Sequence, residues 1–310
     1  MEQEPNVDRF QEMQVFVAVA DEQSFASAAR RLNMSAPSVT RAVAALEERI
    51  GTRLLARTTR SLHITEAGQR YLADCRRILA ELEEAEESAA GSHAVARGQL
   101  NVTAPVLFGE LFVTPLLVDY LAQYPQVQAK ALLVDRVVNM AEEDIDVAIR
   151  IGDLPENNLH RVKVGSVRRV ICASPGFLAE YGRPQHPNDL RDASVVLAAS
   201  STLVSDWQFM GPEGAITVRP QPRLVVSANQ AAIRAACAGW GLTRVLSYQI
   251  ARQVEAGELE IVLADYELPL LPIHVVYQGG RKLSAKLRTF VDFCTSTLQQ
   301  NPALNPVQDA

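Results

Sequence analysis

The sequence predicts two folded parts joined by a long helix: a small, mostly α-helical winged helix-turn-helix and a larger α/β domain. Residues 10–66 have the pattern of three short helices followed by two strand-like runs, which is the element order of a winged helix. Beyond residue 99, short apolar runs alternate with amphipathic stretches, as they do in α/β sheets. At 310 residues the chain is long enough for both parts.

The composition is that of an ordinary globular protein. Hydrophobic residues make up 48% of the chain and charged residues 21%, and no apolar run approaches the roughly 20 residues of a membrane-spanning helix. Residues 1–9 are acidic and polar and lack the basic start and apolar core of a secretory signal. We therefore expect a cytoplasmic protein.

The four cysteines are far apart in the sequence and form no CxxC pair, so neither a zinc site nor a disulfide framework is expected. Each is expected to be a small buried apolar residue rather than a reactive thiol. The chain is expected to hold no metal and no cofactor. The cysteines are Cys75, Cys172, Cys237 and Cys294.

The charge is unevenly distributed. A formal net charge of −6 argues against a nucleic-acid partner for the chain as a whole. Between Ser24 and His63, however, seven arginines accompany only two acidic residues, a local excess of five positive charges. Because phosphate binding needs local positive potential, this segment predicts a DNA-binding surface. The alternative is that the arginines only solvate a small domain.

The third predicted helix, 35–50, has two contrasting faces. Ser35 is a good N-cap, and a proline is tolerated in the first turn that follows it. Val39, Val43, Leu46 and Ile50 fall on one face and must pack inward. The preceding predicted helices span 10–20 and 24–32, and the two strands of the wing span 53–57 and 61–65.

The outward face of the same helix carries small side chains in its first two turns, apart from Arg41. Such a helix end fits the major groove, where Arg41 can pair with a guanine edge or a phosphate. Arginines around the wing tip are expected to contact phosphates or the minor groove. The predicted DNA-binding residues are Ser24, Ser35, Ala36, Pro37, Ser38, Thr40, Arg41, Arg53, Arg57 and Arg60.

A long helix reaching about residue 90 is predicted after the wing, with Thr65 as its cap and Glu66 at the positive end of its dipole. Apolar or small residues recur along it at alternating spacings of four and three, whereas the rest of its surface is charged. A partner helix is the natural cover for this seam, which predicts a symmetric dimer. The alternative is that the seam packs on its own domain. The seam residues are Tyr71, Cys75, Ile78, Leu82, Ala85 and Ala89.

The second domain is predicted to be an α/β sheet structure, and such sheets bind ligands outside the carboxyl ends of their strands. The strands are expected at 100–103, 129–135, 147–151, 169–173, 195–199, 224–226 and 273–277. The helices are expected at 109–124, 137–142, 175–181, 229–238, 248–256 and 284–299.

The N-terminal stretch FVAVADEQSFASAARRLNMSAPSVTRAVAALEERIGTRLLARTTRSLHITEAG resembles the signature region of LysR-type transcriptional regulators over its whole length. The resemblance implies a regulator rather than an enzyme. Such a regulator binds promoter DNA and a small-molecule effector, works with RNA polymerase, and assembles from homodimers into a homotetramer. Ala36 departs from the pattern, since many relatives carry Gln there. One hydrogen bond to a base edge is lost at this position.

The remainder resembles the same family, in the branch typified by a meningococcal adhesion regulator, through LNVTAPVLFGELFVTPLL, DIDVAIRIGDLP, ICASPGFLAEYG and KLRTFVDF. This implies a fold similar to periplasmic binding proteins, with an effector in a cleft between two lobes that the chain crosses twice. We expect a DNA-binding domain at 1–66, a linker helix at 67–90, a hinge at 91–98, an effector-binding domain at 99–300 and a tail at 301–310. The first lobe spans 99–164 and 267–300, and the second spans 165–266.

Strand ends and helix starts supply the candidate cleft residues. An open helix N-terminus and nearby arginines would attract a carboxylate, so a carboxylic or aromatic effector is expected. Leu107 stands where relatives often carry Ser or Thr, which makes that wall apolar. Arg150 either contacts the ligand or pairs with Asp146 or Asp153. The candidates are Thr103, Pro105, Val106, Leu107, Arg136, Val138, Arg150, Ser200, Ser201, Thr202, Asn229, Thr243 and Arg244.

Two other classes of protein fit the sequence less well. An enzyme would need a nucleophile constellation, metal ligands or a cofactor loop, and the sequence has only an isolated Gly239-Trp240-Gly241 and five histidines without metal-ligand spacing. A solute-binding transport protein would share the fold of the C-terminal two-thirds. It fits neither the N-terminal helix-turn-helix nor the lack of a signal sequence.

Overall fold

The structure is a computed structural model of the chain, and it describes residues 8–57, 62–90, 95–154, 159–198, 206–279 and 283–305. The chain divides into two compact units, an N-terminal unit, Met1–Ala94, and a C-terminal unit, Val95–Ala310. Peptide bonds within the described residues are all trans.

The described residues of the N-terminal unit form three helices, a two-stranded antiparallel hairpin and a long helix, in the predicted order. Its core is formed by the apolar faces of the first three helices around Phe16, Val39 and Leu46, each fully buried. The elements are α1 (Arg9–Glu22), α2 (Phe25–Arg31), α3 (Ala36–Ile50), β1 (Leu55–Arg57), β2 (Leu62–Ile64) and α4 (Glu66–Ala90). The predicted helices and strands of this unit are confirmed to within two residues at each end.

Polar contacts hold the helices of this unit to one another and to the hairpin. Glu12 on α1 is 6% exposed and pairs with Arg49 on α3 at 2.8 Å. The Glu47 carboxylate accepts hydrogen bonds from the backbone N–H groups of Leu54 and Leu55, at 2.8 and 2.9 Å. Gly51 ends α3 in the left-handed region, with φ 74°, a conformation that favours glycine. The last residue assigned to the inward face of α3, Ile50, is instead 36% exposed because the helix ends there.

The N-terminal end of the predicted dimer seam packs within its own unit, which corrects part of the prediction. Cys75 is fully buried against the helices of the N-terminal core, and the Tyr71 ring lies 5.7 Å from the Phe16 ring on α1. Neither side chain is therefore available as the centre of a contact between two α4 helices. Ile78 and Leu82 are half-buried. The side chains of Ala85 and Ala89 lie outside the described part of the chain.

The residues described in the C-terminal unit include two five-stranded mixed sheets, one in each lobe. The first lobe has the strand order β4-β3-β5-β14-β6 and the second has β11-β8-β12-β7-β13. The first-lobe strands are β3 (Gly98–Ala104), β4 (Val127–Leu133), β5 (Val147–Ile151), β6 (Leu159–Val167) and β14 (Leu271–Gln278). The second-lobe strands are β7 (Arg169–Ala173), β8 (Val195–Ala198), β11 (Leu224–Val226), β12 (Leu242–Leu246) and β13 (Glu260–Val262).

The chain passes between the lobes twice, from β6 to β7 and from β13 to β14. A separate hairpin, β9 (Trp207–Gly211) with β10 (Gly214–Val218), covers one face of the second-lobe sheet. The helices are α5 (Val106–Phe108), α6 (Thr114–Gln123), α7 (Pro175–Tyr181), α8 (Asn229–Cys237), α9 (Ala251–Glu255) and α10 (Ala285–Gln299). A π-helical turn, Gly109–Val113, joins α5 to α6.

Val106–Gln123, which includes this turn, is long and apolar enough to cross a membrane by length and composition alone, and 39% of it is buried in the protein. Its buried residues, among them Phe108 and Leu116, belong to the core of the C-terminal unit. The apolar character of this segment therefore has an explanation in packing.

All seven strands predicted for the second domain are present, but β6, β9, β10, β12 and β13 were not predicted. The helix predicted at 137–142 is wrong, because this segment forms turns. The Glu143 carboxylate binds the Arg136 guanidinium at 2.7 and 2.5 Å and also accepts from the Asn139 N–H, and Asp144 has a φ of 54°. These local contacts compete with a helix for the same backbone groups.

The cysteines agree with the expectation of inert packing residues. Cys75, Cys172 and Cys294 are buried, and burial raises the pKa of their thiols to about 11, 12 and 12, respectively. Cys237 is half-buried, and its thiol pKa is also raised by desolvation. Because the thiolate is the reactive form, none of the four is activated.

We expect a thiol reagent to modify one cysteine of the native protein at pH 8, Cys237, and all four after unfolding. The partial exposure of Cys237 gives the reagent access, whereas the other three are enclosed by their cores. Mass spectrometry of tryptic peptides after timed labelling measures this. Fast modification of Cys172 or Cys294 in the folded protein would contradict the buried placement of these thiols.

Candidate DNA interface and effector cleft

The N-terminal end of α3 is an exposed, capped helix terminus. The Ser35 hydroxyl accepts a hydrogen bond from the Ser38 N–H at 3.2 Å, which identifies Ser35 as the N-cap. Ala36 and Pro37 are exposed in the first turn, and Ser38 and Thr40 are half-buried. The N-terminal end of α3 therefore has small side chains on its surface, and the backbone N–H groups of its first turn lie close to solvent.

Arg41 projects from this surface. It is exposed, and within the described residues its guanidinium has one contact, a 3.4 Å hydrogen bond to the Ser38 hydroxyl. Val39 and Val43, on the opposite face of α3, are 0% and 1% exposed. The tight packing of that face fixes the direction in which Arg41 points. The amphipathic pattern read from the sequence is confirmed at these positions.

The arginines of this unit divide into two groups. Arg31 pairs with Asp21 at 3.2 Å and Glu22 at 3.5 Å, and Arg49 pairs with the buried Glu12. The Glu12 carboxylate hydrogen-bonded to Arg49 raises the pKa of its guanidinium. These two arginines stabilise the N-terminal unit through ion pairs. For them, the alternative holds that an arginine of this segment does not contact DNA.

Arg30, Arg41 and Arg53 form the other group. All three are exposed and make no ion pair with the residues that the structure describes. Ser24 caps α2 by accepting from the Ser27 N–H at 3.3 Å and is half-buried. Arg30 was not among the predicted contacts, although it lies on α2 six residues beyond that cap. The Arg57 side chain and Arg60 lie outside the described residues.

The first-lobe side of the cleft lies where β3, β4 and β5 end, since these three strands are parallel. Pro105 and Val106 follow β3 and are half-buried. The Asp135 carboxylate, beyond the end of β4, accepts a hydrogen bond from the Val106 N–H at 3.0 Å. The helix N-terminus that follows β3 is thus already capped by a carboxylate, which corrects the expectation of an open anion site on this wall.

Several predicted cleft residues of the first lobe are engaged within the fold. Thr103 is fully buried and its hydroxyl donates to the Leu132 carbonyl at 2.7 Å. Leu107 and Val138 are 7% and 4% exposed and pack into apolar clusters. The guanidinium of Arg136 is bound at both ends by Glu143. These four side chains hold the wall of the cleft in place.

Arg150 pairs with neither carboxylate considered from the sequence. Its guanidinium donates to the Arg136 and Val138 carbonyls at 3.4 and 3.1 Å. Burial lowers its pKa. Asp146 instead accepts from the Asn101 N–H at 2.7 Å. Arg150 therefore anchors the turn segment after β4 and brings one positive charge to this edge of the sheet.

The second-lobe side lies where β8, β11 and β12 end, because these strands are also parallel. Asn229 begins α8 just beyond β11, and Ala228 at the N-cap provides no side-chain acceptor. The open helix N-terminus is thus on this lobe. Ser200, Ser201 and Thr202 lie outside the described residues.

Two predicted residues on β12 lie away from this edge. Thr243 pairs with Val196 near the start of the strand, is fully buried, and donates to the Val196 carbonyl at 3.0 Å. Arg244 lies mid-strand, and its guanidinium carbon is 4.8 Å from the centroid of the Trp207 ring. The structure therefore does not bring Thr243 and Arg244 to the cleft edge with Asn229.

The turn that follows β12 was not identified from the sequence, and it connects the two lobes. The Tyr248 ring is 5.4 Å from Phe108 and 5.8 Å from Phe112. The Ser247 hydroxyl accepts from the Arg168 N–H at 3.2 Å, at the first crossing between the lobes. The only sequence signal was the aromatic residue directly after an apolar strand.

Two protein-family descriptions match the chain. "Bacterial regulatory helix-turn-helix protein, lysR family" matches residues 10–69, and "LysR substrate binding domain" matches residues 93–299. An HTH-type transcriptional regulator of Xanthomonas campestris is 36% identical over 92% of this chain and 84% of its own length. An HTH-type transcriptional repressor of Pseudomonas aeruginosa is 32% identical over 96% of this chain and 95% of its own length.

A solved structure is similar to this chain over most of its length. The LysR-type transcriptional regulator CrgA of Neisseria meningitidis is similar over 93% of this chain and 98% of its own, with 28% identity and a TM-score of 0.60. The likeness extends over both units described above.

Proposed function

The chain belongs to the LysR family of bacterial transcriptional regulators, and on that premise we propose which of its surfaces contact the operator and the effector. As a member, it is a sequence-specific DNA-binding regulator with a C-terminal effector-binding domain, and not an enzyme. It binds promoter DNA and a small molecule and is oligomeric.

The operator surface we propose is the N-terminal end of α3 with Arg41, flanked by Arg30 and Arg53. The observation that carries this proposal is the combination of an exposed arginine and small neighbours on a helix whose other face is fully packed. A helix end of this shape enters the major groove without a clash, and its arginine reaches a base edge or a phosphate. Ser35, Ala36, Pro37, Ser38 and Thr40 line the approach. Ser24, Arg57 and Arg60 complete the set.

The effector we propose is a small carboxylic or aromatic compound bound between the strand ends of the two lobes. The uncapped N-terminus of α8 at Asn229 and the charge of Arg150 support an anionic group on the ligand. The apolar wall beside Pro105 and Val106 supports an apolar body. Ser200, Ser201 and Thr202 belong to the same proposed site. The working form is a cytoplasmic homotetramer, built from dimers, that acts through RNA polymerase.

The test is recovery of genomic DNA fragments by the purified full-length protein at moderate salt, followed by thermal-shift screening with small acids and aromatics. Enrichment of a few promoter fragments, and a rise in melting temperature with one class of acid, are the expected results. Uniform recovery of all fragments would contradict the operator surface. Specific DNA binding without any stabilising acid or aromatic would contradict the proposed effector class only.

The part of the α4 seam that remains uncovered by the N-terminal core predicts the dimer contact. We expect Leu82→Asp to shift the protein to a lower oligomeric state, because a carboxylate would be buried between two α4 helices. Ala73→Asp, at an exposed position on the other side of α4, is the matched control and is expected to assemble like the wild type. Sedimentation velocity measures both. Equal sedimentation of the two variants would contradict this seam.

A further inference from the structure

We propose that the second lobe carries an oxyanion-binding site, formed by the guanidiniums of Arg169 and Arg244 in a recess beneath the β9–β10 hairpin. The recess has interior room for about one water molecule, so the anion lies at its mouth. It is lined by these arginines together with Ile171, Gln208, Phe209, Leu263, Glu267 and Leu268. Its occupant is a small anion with a carboxylate, phosphate or sulfate group. The proposal concerns a different place from the cleft between the lobes and does not depend on it.

The two arginines are brought together by strand register. In the antiparallel pair of β12 with β7, Arg244 lies opposite Ile171, and Arg169 is two residues from Ile171 on the same face. Residues in this diagonal relation have side chains close enough to act on one ligand. The two positive charges repel each other. The pKa of Arg244 is lowered to about 9, first by burial and second by the charge of Arg169.

Neither guanidinium has an acidic partner in the part of the chain that the structure describes. Among residues 8–57, 62–90, 95–154, 159–198, 206–279 and 283–305, no hydrogen bond or ion pair is made by the side chain of Arg169 or Arg244. The one carboxylate that lines the recess, Glu267, is bound at both oxygens by Arg168, each at 2.7 Å. Three arginines therefore face one acid, which leaves two positive charges uncompensated. Half-buried arginines are normally paired, so this excess favours an anion.

Trp207 gives the site a fixed floor. Its side chain is fully buried, and the guanidinium carbon of Arg244 lies over the ring, 4.8 Å from its centroid. The ring offers the Arg244 guanidinium a cation–π contact but accepts no conventional hydrogen bond, so the guanidinium N–H groups remain available to the oxygens of an anion. The buried indole N–H of Trp207 is a further donor with no acceptor in the described part of the chain.

The recess and the cleft lie in different parts of the second lobe. The face of the sheet opposite the hairpin is covered by α8, whose Ile233 and Ala236 pack with Val245 of β12. Arg244 points to the hairpin face, whereas the proposed effector residue Asn229 lies at the carboxyl edge of the sheet. Arg169 follows the first crossing between the lobes and Glu267 lies on the second, so the occupant contacts both crossings.

The test uses the full-length protein and three probes, sodium sulfate, sodium phosphate and sodium acetate, each titrated at constant ionic strength. Binding is measured by tryptophan fluorescence. Both tryptophans of the chain are in the C-terminal unit, so their emission does not report on anions bound by the DNA-binding surface. We expect saturable binding of at least one probe, weakened at least about tenfold by Arg169→Gln and by Arg244→Gln, because each removes a charge-assisted donor. Acetate binding alone indicates a carboxylate ligand, and sulfate or phosphate binding alone a tetrahedral dianion.

Arg223→Gln is the matched control. Arg223 also lies over a tryptophan, Trp240, at 5.6 Å, but outside the recess, and its loss should leave the titration unchanged. If Arg244→Gln unfolds the second lobe, the titration of Arg169→Gln tests the proposal instead. Arg169 makes no ring contact within the described residues, so its replacement costs the fold less. Absence of saturable binding by every probe, or equal binding by the wild type and Arg169→Gln, would overturn the proposal.

Discussion

Arg41→Ala is expected to lower operator affinity at least about tenfold while leaving the melting temperature of the protein unchanged. The guanidinium is exposed and has one long hydrogen bond to Ser38 within the described residues, so its removal costs the fold little. In the complex, an arginine that is bidentate to a guanine contributes about 1 to 3 kcal/mol of discrimination. The measurement is a binding isotherm on the operator and on variants with single base changes.

The salt dependence of the same isotherms separates the two roles available to Arg41. If it reads a base, Arg41→Ala relaxes specificity at one position, whereas loss of a phosphate contact weakens all sequences alike and reduces the salt slope by about one. Arg288→Ala, which removes an exposed arginine from α10 of the other unit, is the control. Unchanged affinity and salt dependence for Arg41→Ala would remove α3 from the proposed operator surface.

The features that could be predicted from the sequence are those that depend on local periodicity. The apolar face of α3 follows from the spacing of Val39, Val43 and Leu46, and the structure buries all three. Most strands of the C-terminal unit were recognised because they are short apolar runs. By contrast, β6 carries His160, Arg161, Lys163 and Ser166 among its nine residues, and β12 contains Arg244 at its centre. Neither strand therefore has the composition of a buried strand.

The features that could not be predicted depend on contacts between residues that are far apart in the sequence. Nothing in the local sequence distinguishes Arg31, which pairs with Asp21, from Arg41, which is available to DNA. The heptad spacing of Tyr71 and Cys75 predicts an apolar stripe correctly but does not say whether α1 or a second α4 covers it. Likewise, an aspartate at the start of a loop gives no sign that it will cap α5, as Asp135 does.

Gly68→Ala is expected to destabilise the N-terminal unit by about 1 to 3 kcal/mol, the usual cost of overpacking a tight contact. Gly68 lies in the first turn of α4 where the helix crosses the chain before the wing. A Cβ there would overlap the Leu54 carbonyl oxygen and lie 2.8 Å from a methyl group of Ile64. The Leu54 carbonyl also accepts the Thr65 N–H at 2.9 Å, so it is not free to move aside.

The consequence for function follows from what these residues connect. Leu54 and Ile64 flank the wing, and α4 carries the proposed dimer seam, so a displaced α4 changes the position of the wing relative to its partner subunit. We therefore expect Gly68→Ala to lose operator binding while retaining effector binding, because the latter lies in the other unit. Gly176→Ala, at an exposed helical glycine with no atom within 4 Å of the added Cβ, is the control; it should keep the wild-type DNA affinity and stabilise the protein by up to about 1 kcal/mol. Equal melting curves and DNA affinities for the two variants would contradict this prediction. They would show that α4 can move away from Leu54 without loss of stability or of DNA binding.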